Sequence, residues 1–479
     1  MLAAGLKGGL VKSKIYSWLA IGGLFAALAT DVHAKNVILF LGDGMGISTV
    51  TAARILAGQL KGMPGEEHAL SFDQFEHVSL IKTYNTDAQV PDSAGTITAI
   101  LSGEKTRMGV LGVSASVPRG DCASSLEHEL PTILELAEEA GKATGIVSTA
   151  RITHATPGGS YAHVPDRDWE NSSTLPAEAR ALGCKDIALQ LIELPHGDGP
   201  DVVLGGGRAQ FMPSSAPDPE YPDKMGLRDD HRDLISEWLD NAKSRHYVWN
   251  AEQFQAVDAS FTGQLLGLFE PSHMQFEADR SQDPGGEPSL AEMTKMALGR
   301  LSQNKEGFFL LVEAGRIDHG HHFGNAYRAL TDTLALDAAV AAAVSATDPE
   351  QTLIVVTADH SHTLTISGYP TRGNPILGKV NQAASLVSQA NSKYLPYTTL
   401  GYANGLGYKA VYPDLTDVDT TAPDYQQIAA VPLPMETHAG EDVAAFAAGK
   451  AAHGVKGVME QDRLFHVMMQ ALINDPTKD

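Results

Sequence analysis

Apolar residues along this chain fall into short unbroken runs, each cut off by a polar turn. Val37-Ile38-Leu39-Phe40-Leu41 gives way to Gly42-Asp43-Gly44-Met45-Gly46. Phe308-Phe309-Leu310-Leu311-Val312 ends in Glu313-Ala314-Gly315-Arg316-Ile317-Asp318-His319-Gly320-His321-His322. Leu353-Ile354-Val355-Val356-Thr357 ends in Ala358-Asp359-His360-Ser361-His362. Runs without polar alternation read as strands covered on both faces, which is the pattern of a parallel sheet. Gly145 to Thr149 and Asp201 to Leu204 read as further strands. Pro131 to Ala140 reads as a helix that stops at Gly141, and Arg328 to Ala346 as a long Ala/Leu-rich helix. Strands and helices therefore alternate. The predicted class is α/β, a doubly wound, mostly parallel sheet flanked by helices.

Two stretches break this rhythm and read as inserted irregular lobes. Residues 211–289 are rich in Pro, Asp, Glu and aromatic residues, and residues 366–430 in Gly, Pro, Thr and Tyr. The triplet Gly205-Gly206-Gly207 lacks the Lys-Ser/Thr of a phosphate loop and reads as a tight turn. Residues 1–34 read as a signal peptide. Lys7, Lys12 and Lys14 precede the apolar stretch Trp18 to Ala29, and Val32-His33-Ala34 offers a small-residue cleavage point. An uncleaved anchor is the competing reading. The expected domain is 35–479, exported to the periplasm or secreted, with no membrane partner after cleavage. Residues 474–479 carry no apolar tail, so no lipid-anchor signal is expected there.

The formal net charge is −23, which argues against nucleic acid as a specific partner. Cys122 and Cys184 are the only cysteines. In an exported chain an even count favours a disulfide, with two free thiols as the alternative.

Open parallel sheets bind ligands beyond the carboxyl ends of their strands, so the three polar turns can converge. Their chemistry is that of metal ligands. Asp318, His322 and His438 could form one zinc set, since Asp318 and His322 are spaced to share one side of a helix. Asp43, Asp359 and His360, with Ser93 as fourth donor, could form a second. Asp43, Thr156 and Glu313 would suit magnesium, which prefers oxygen. Ser93 stands with Asp92 at the start of a helix-like run, Ile97 to Leu101. There it is either a plain cap or a nucleophile favoured by the helix dipole.

These motifs resemble the alkaline phosphatase family. Asp43-Gly44-Met45-Gly46, Asp92-Ser93-Ala94, Thr357 to His362 and the Glu313–His322 run carry the likeness over nearly all of the chain after residue 34. The animal-type branch is the nearer one, through Cys184 to Ala188, Gly267 to Pro271 and His438 to Val443. The resemblance implies hydrolysis of phosphate monoesters at alkaline pH, with Ser93 as the phosphorylated nucleophile, two zinc ions and one magnesium ion. It assigns Arg167 to the phosphate. It sets His154 and His319 behind the ligands, where another bacterial branch has Asp and Lys. It also implies a calcium site in 211–289, with Glu220, the Phe269 carbonyl and Glu270 as ligands. Glu287 stands where the family has Asp, after an insertion bearing Gly285-Gly286. Residues 366–430 correspond to a crown-like lobe.

A homodimer is expected, though without the family's N-terminal arm, because only Lys35 and Asn36 separate the expected cleavage point from the first strand. Related sulfatases need a Cys/Ser-x-Pro-x-Arg motif that Ser93 to Ile97 does not supply. Diesterases usually lack the arginine and third-metal set that Arg167, Thr156 and Glu313 provide. A phosphate- or metal-binding protein without turnover would have no use for Ser93.

Overall fold

The computed structural model describes residues 34–240, 244–258, 261–381 and 395–473. Ten strands make one large sheet. In chain order they are β1 (Asn36–Gly42), β2 (His77–Lys82), β3 (Ala143–Arg151), β4 (Val202–Gly206), β5 (Arg245–Val248), β6 (Gln264–Leu268), β7 (Phe308–Ala314), β8 (Thr352–Ala358), β9 (Val443–Gly449) and β10 (Gly457–Glu460). Their spatial order is β10-β2-β9-β8-β1-β7-β3-β4-β6-β5. All pairings are parallel except the two that β9 makes with β8 and β2.

The three apolar runs become the centre of this sheet. β1 lies between β7 and β8, and Gly42 sits opposite both Ala314 and Ala358. The three strands thus end level, and Asp43, the 315–322 turn and Asp359 emerge side by side. β7 and β8 are buried along their whole length, as is β1 after Asn36. Helices on both faces exclude water from a surface that has no polar alternation to offer it.

Among the covering helices, Ala326–Ala346 is long and apolar enough to cross a membrane by length and composition. Here Leu330, Leu336, Ala339, Val340 and Ala343 are buried, so its apolar face serves the core. Asn325 caps it by accepting from the Arg328 N–H.

Several boundaries differ from those read along the chain. The helix after Pro131 runs Ile133–Glu139, because Thr132 and Glu135 form a capping box. β4 continues through Gly205 and Gly206, and the turn waits for Gly207, whose φ is 98°. Residues 211–289 are less irregular than expected: β5 and β6 extend the sheet at its edge. Both are short, and mixed polarity at an edge hides the periodic signal.

Residues 364–432 contribute a three-stranded sheet of Leu364–Ile366, Leu400–Gly405 and Ala429–Pro432. Its small core joins Leu364, Leu400, Tyr402 and Ala429 to Ala53 and Leu330 of the helices below. The segment read as a signal peptide lies outside the described residues except for Ala34, whose N–H donates to the Ala471 carbonyl.

Cys122 and Cys184 form a disulfide across 62 residues and pack with Trp169, Leu175 and Ala179. Closing a loop of that length stabilises by about 4 kcal/mol in the chain-entropy model. Replacing Cys184 by Ser is expected to cost about 2–5 kcal/mol, read as a lower denaturation midpoint. An unchanged midpoint would show that the bridge adds nothing.

Candidate active site

Four carboxylates, Asp43, Glu313, Asp318 and Asp359, are buried in one corner at the level ends of β1, β7 and β8. The chain bends tightly to bring them there. Gly44 follows β1 with φ of 67°, and a Cβ on it would lie 2.3 Å from the His362 ring. Its N–H donates to Asp359 Oδ1 at 2.9 Å, tying the first turn to the third. The helix Arg316–His322 begins directly beyond β7. His438 arrives from far along the chain, because His438–Ala439 pairs with Ser361–His362 as a two-residue antiparallel ladder.

Three donor atoms define a first cradle. Asp318 Oδ1 is 3.3 Å from His322 Nε2 and 3.3 Å from His438 Nε2. The two Nε2 atoms are themselves 3.3 Å apart. Each ring anchors its other nitrogen: His322 Nδ1 donates to the Glu436 carbonyl at 2.6 Å and His438 Nδ1 to the Pro91 carbonyl at 2.8 Å. The Nε2 lone pairs therefore face each other, an arrangement that calls for a cation between them. Donors about 2.0–2.1 Å from a tetrahedral zinc stand about 3.3–3.4 Å apart, which matches this triangle.

A second cradle surrounds Ser93. Its Oγ is 3.1 Å from His360 Nε2 and 3.4 Å from Asp43 Oδ1. His360 Nε2 lies 3.2 Å from Asp359 Oδ2 and 3.5 Å from Asp43 Oδ1. Burial lowers both His360 and His322 below the ordinary imidazole value, so these rings stay neutral and can ligate.

A third group is made of oxygens alone. Asp43 Oδ2, Thr156 Oγ1 and Glu313 Oε1 are all buried and none has a hydrogen-bond partner. Buried oxygens are rarely left unpaired, and an oxygen-only set is what magnesium takes. Asp43 thus turns Oδ1 to the second cradle and leaves Oδ2 among the unpartnered oxygens.

The charges explain why cations belong here. Burial first, then Asp359, Asp318 and Glu313, push Asp43 well above the usual carboxylate range. Burial also raises Asp359, and it lifts Glu313 to about 7 against the opposing Ser148 hydrogen bond. For Asp318 burial acts upward as well, but His322, His362 and His438 outweigh it and hold the group well below its ordinary value.

Asp92 is the cap of the helix Ser93–Ser102 and accepts from the Gly95 N–H at 3.1 Å. Ser93 is the next residue, and its hydroxyl is left to the second cradle. The other oxygen of Asp92 accepts from Arg167 Nη1 at 3.1 Å and from the Gly109 N–H at 3.0 Å. Arg167 Nη2 reaches His154 Nε2 at 3.2 Å. One carboxylate therefore fixes both the serine's helix and the guanidinium.

Some contributors were invisible in the pattern. His362 sits between two carboxylates, Asp318 Oδ1 at 2.6 Å and Glu436 Oε2 at 2.5 Å. Burial acts to lower it, but Glu436 and Asp318 win and raise it to about 10. With both nitrogens engaged, it orients Asp318 rather than ligating. The repeated histidine in Asp359 to His362 was the only hint, because Glu436 is 74 residues away.

In the calcium region, Glu220 and Glu270 do come together, and Asp283 joins them. The Tyr221 hydroxyl lies between them, 3.1 Å from Glu270 Oε1 and 3.3 Å from Asp283 Oδ1, and shares its one proton with the two. Glu287 accepts from the Gln275 N–H through one oxygen, while its buried Oε2 and Asp283 Oδ2 have no partner. Asp283 is thus a third carboxylate beside Glu220 and Glu270, one that the family motif does not name.

A family model described as alkaline phosphatase matches residues 34–474. The chain is 49% identical to the tissue-nonspecific alkaline phosphatase isozyme of Gallus gallus over 455 residues, covering 93% of this chain and 86% of that protein. It is 47% identical to an alkaline phosphatase of Gadus morhua over 447 residues, 91% of each. Among solved structures it is similar to the Thermus thermophilus alkaline phosphatase, with a TM-score of 0.66 at 24% identity over 96% of this chain and 97% of that one. The alkaline phosphatase of the Antarctic bacterium TAB5 gives 0.62 at 22% identity, covering 92% and 98%. At such identities the structural likeness speaks for the fold alone.

Two expectations follow. His362→Ala should weaken metal retention about 10–100-fold, as loss of a group that orients a ligand does. Dialysis against graded chelator with metal analysis reads this, and unchanged retention would deny His362 that role. Glu313, at about 7 without metal, must lose its proton to ligate. Magnesium binding at pH 6 should therefore release a proton, with release fading as pH rises above about 7. Calorimetry in buffers of different ionisation enthalpy measures that release.

Proposed function

This chain belongs to the alkaline phosphatase family and hydrolyses phosphate monoesters with metal ions, and we propose that it does so through a phosphoserine at Ser93 beside two zinc ions and one magnesium ion. The observation that carries the reading is the triangle of Asp318 Oδ1, His322 Nε2 and His438 Nε2, each 3.3 Å from the others. Asp318, His322 and His438 would hold the first zinc. Asp43, Asp359, His360 and Ser93 would hold the second. Asp43, Thr156 and Glu313 would hold magnesium.

A phosphate monoester carries about two negative charges, and its uncatalysed hydrolysis is slow enough to require upwards of roughly 20 kcal/mol of catalysis. When bound, such ions supply positive charge for the substrate's oxygens and lower the pKa of a hydroxyl or water beside them. The chain's own residues supply position. Ser93 stands at the first turn of its helix, where N–H groups and dipole favour an anion. Arg167, held by Asp92 and backed by His154, offers its fork to two non-bridging oxygens. The Ser93 oxygen attacks phosphorus as the P–O bond to the leaving alcohol breaks on the opposite side. A water then attacks the phosphoserine, breaking the Ser93 O–P bond and releasing inorganic phosphate. Two inversions leave the configuration at phosphorus retained.

The wider reading rests on supporting features. An exported chain, with 1–34 as signal peptide and 35–479 as one catalytic domain, suits the Cys122–Cys184 disulfide. A homodimer suits the exposed apolar residues of the 366–435 lobe, of which Val411 is 83% and Tyr369 62% exposed. Calcium held by Glu220, Glu270, Asp283 and Glu287, with the Phe269 carbonyl, suits the buried oxygens left without partners there.

Hydrolysis of p-nitrophenyl phosphate at alkaline pH tests the reaction. A chelator should abolish it, and zinc with magnesium should restore it. Ser93→Ala should lower kcat by about 10³-fold or more. Activity that survives the chelator, or the alanine substitution, would sink the mechanism.

A further inference from the structure

Beside the candidate centre, three histidines converge from separate parts of the chain. His154 follows β3, His273 lies in the loop after β6, and His319 rides on the helix Arg316–His322. One ring nitrogen from each lies within 4.8 Å of the other two. The ring centroids of His273 and His319 are 4.1 Å apart, those of His154 and His273 5.2 Å, and those of His154 and His319 5.6 Å. Spacing alone would suit a cation.

The hydrogen bonds argue for the opposite charge. An arginine side chain or a backbone N–H only donates, so a ring nitrogen bonded to one must offer its lone pair. Arg167 Nη2 donates to His154 Nε2 at 3.2 Å. The Arg151 backbone N–H donates to His273 Nδ1 at 3.2 Å. Arg316 Nη1 donates to His319 Nδ1 at 3.1 Å. Each ring spends the lone pair that a metal would use on an arginine N–H, and as a neutral imidazole each keeps one N–H.

Those protons lack acceptors. His154 Nδ1 is buried with no partner. His273 stands between two donors of Arg151, the backbone N–H at Nδ1 and Nη1 2.5 Å from Nε2, and a neutral ring accepts from only one of them, so its own proton faces a donor whichever nitrogen bears it. His319 Nε2 has no acceptor among the described residues. Like His154 Nδ1, the Nε of Arg316 is buried without a partner, on a guanidinium 3.7 Å over the Phe276 ring. Buried donors persist unpaired only where a ligand or water completes them.

We propose that His154, His273 and His319, with Arg151 and Arg316, bind a second oxyanion of phosphate size, one side chain removed from Arg167. The anion's oxygens accept from the free ring N–H groups and from the guanidinium edges, and an oxygen accepting from both His273 and Arg151 relieves their donor–donor contact. No covalent step is involved. His154 joins this site to the candidate active site, since its other nitrogen backs Arg167.

Equilibrium dialysis of the metal-loaded enzyme against labelled inorganic phosphate, carried into the millimolar range, tests the proposal. The wild type should bind two phosphates per chain, one tightly and one more weakly. His273→Phe keeps a ring and removes its N–H, so the weaker binding should fall by at least about tenfold while the tight binding holds. His273→Gln returns an amide donor and should keep the weaker site. Turnover of p-nitrophenyl phosphate, unaltered within about twofold in both variants, would show that the catalytic centre is intact. A single phosphate per wild-type chain overturns the proposal. So does a His273→Phe enzyme that binds the second phosphate as well as the wild type. Either result leaves the phosphatase reading standing, because turnover is scored separately.

Discussion

Carboxylates repel one another at close range, and this fold buries four of them together. Asp43, Glu313, Asp318 and Asp359 meet where β1, β7 and β8 end level. Two unit charges about 4 Å apart at an effective dielectric of about 20 interact by about 4 kcal/mol. The response is visible in the raised Asp43, Glu313 and Asp359. Cations remove that conflict. They also meet the orphan oxygens of Asp43, Thr156 and Glu313 and the facing Nε2 lone pairs of His322 and His438. Charge that would destabilise the core becomes the means of holding metal against phosphate.

The remaining structure supports this corner. The buried parallel strands fix the height at which each ligand emerges. Asp92 joins two needs in one side chain by capping the helix of Ser93 and bracing Arg167. His362 does the same for Asp318 and Glu436. His321 carries the link outward, with Thr49 on one nitrogen at 2.9 Å and the Tyr402 hydroxyl of the 364–432 sheet on the other at 2.8 Å. The lobe is thereby tied to the helix Arg316–His322 rather than merely resting on it. On the opposite flank the chemistry reverses. The rings of His154, His273 and His319 meet arginine N–H groups rather than carboxylates, so candidate cation ligands and unpaired ring N–H groups lie close together.

Much of this was legible along the chain. Unbroken apolar runs identify β1, β7 and β8, because a strand covered on both faces needs no polar residue. The polar turns after them name Asp43, Glu313, Asp318, His322, Asp359 and His360, since a strand end exposes its next residues to a ligand. The four-residue spacing of Asp318 and His322 already implied a shared side of one helix, and their ligating atoms do lie 3.3 Å apart.

Other features had no local signature. Asp92 and Ser93 are both good caps, so only the observed helix start tells which of the two is the cap. β5 and β6 are too short and mixed to stand out before a sheet edge is there to receive them. His273, His362, Asp283 and Glu436 gain their meaning from neighbours brought close by folding. The sequence by itself determined the strands and the candidate ligands that follow them, because burial and turn chemistry act on adjacent residues. Only the tertiary structure decided which side chains converge, which orient a neighbour and which are left with an unpaired proton. Those roles depend on distances of about 3 Å between residues far apart in the chain, and hydrogen-bond geometry is set by the packed fold.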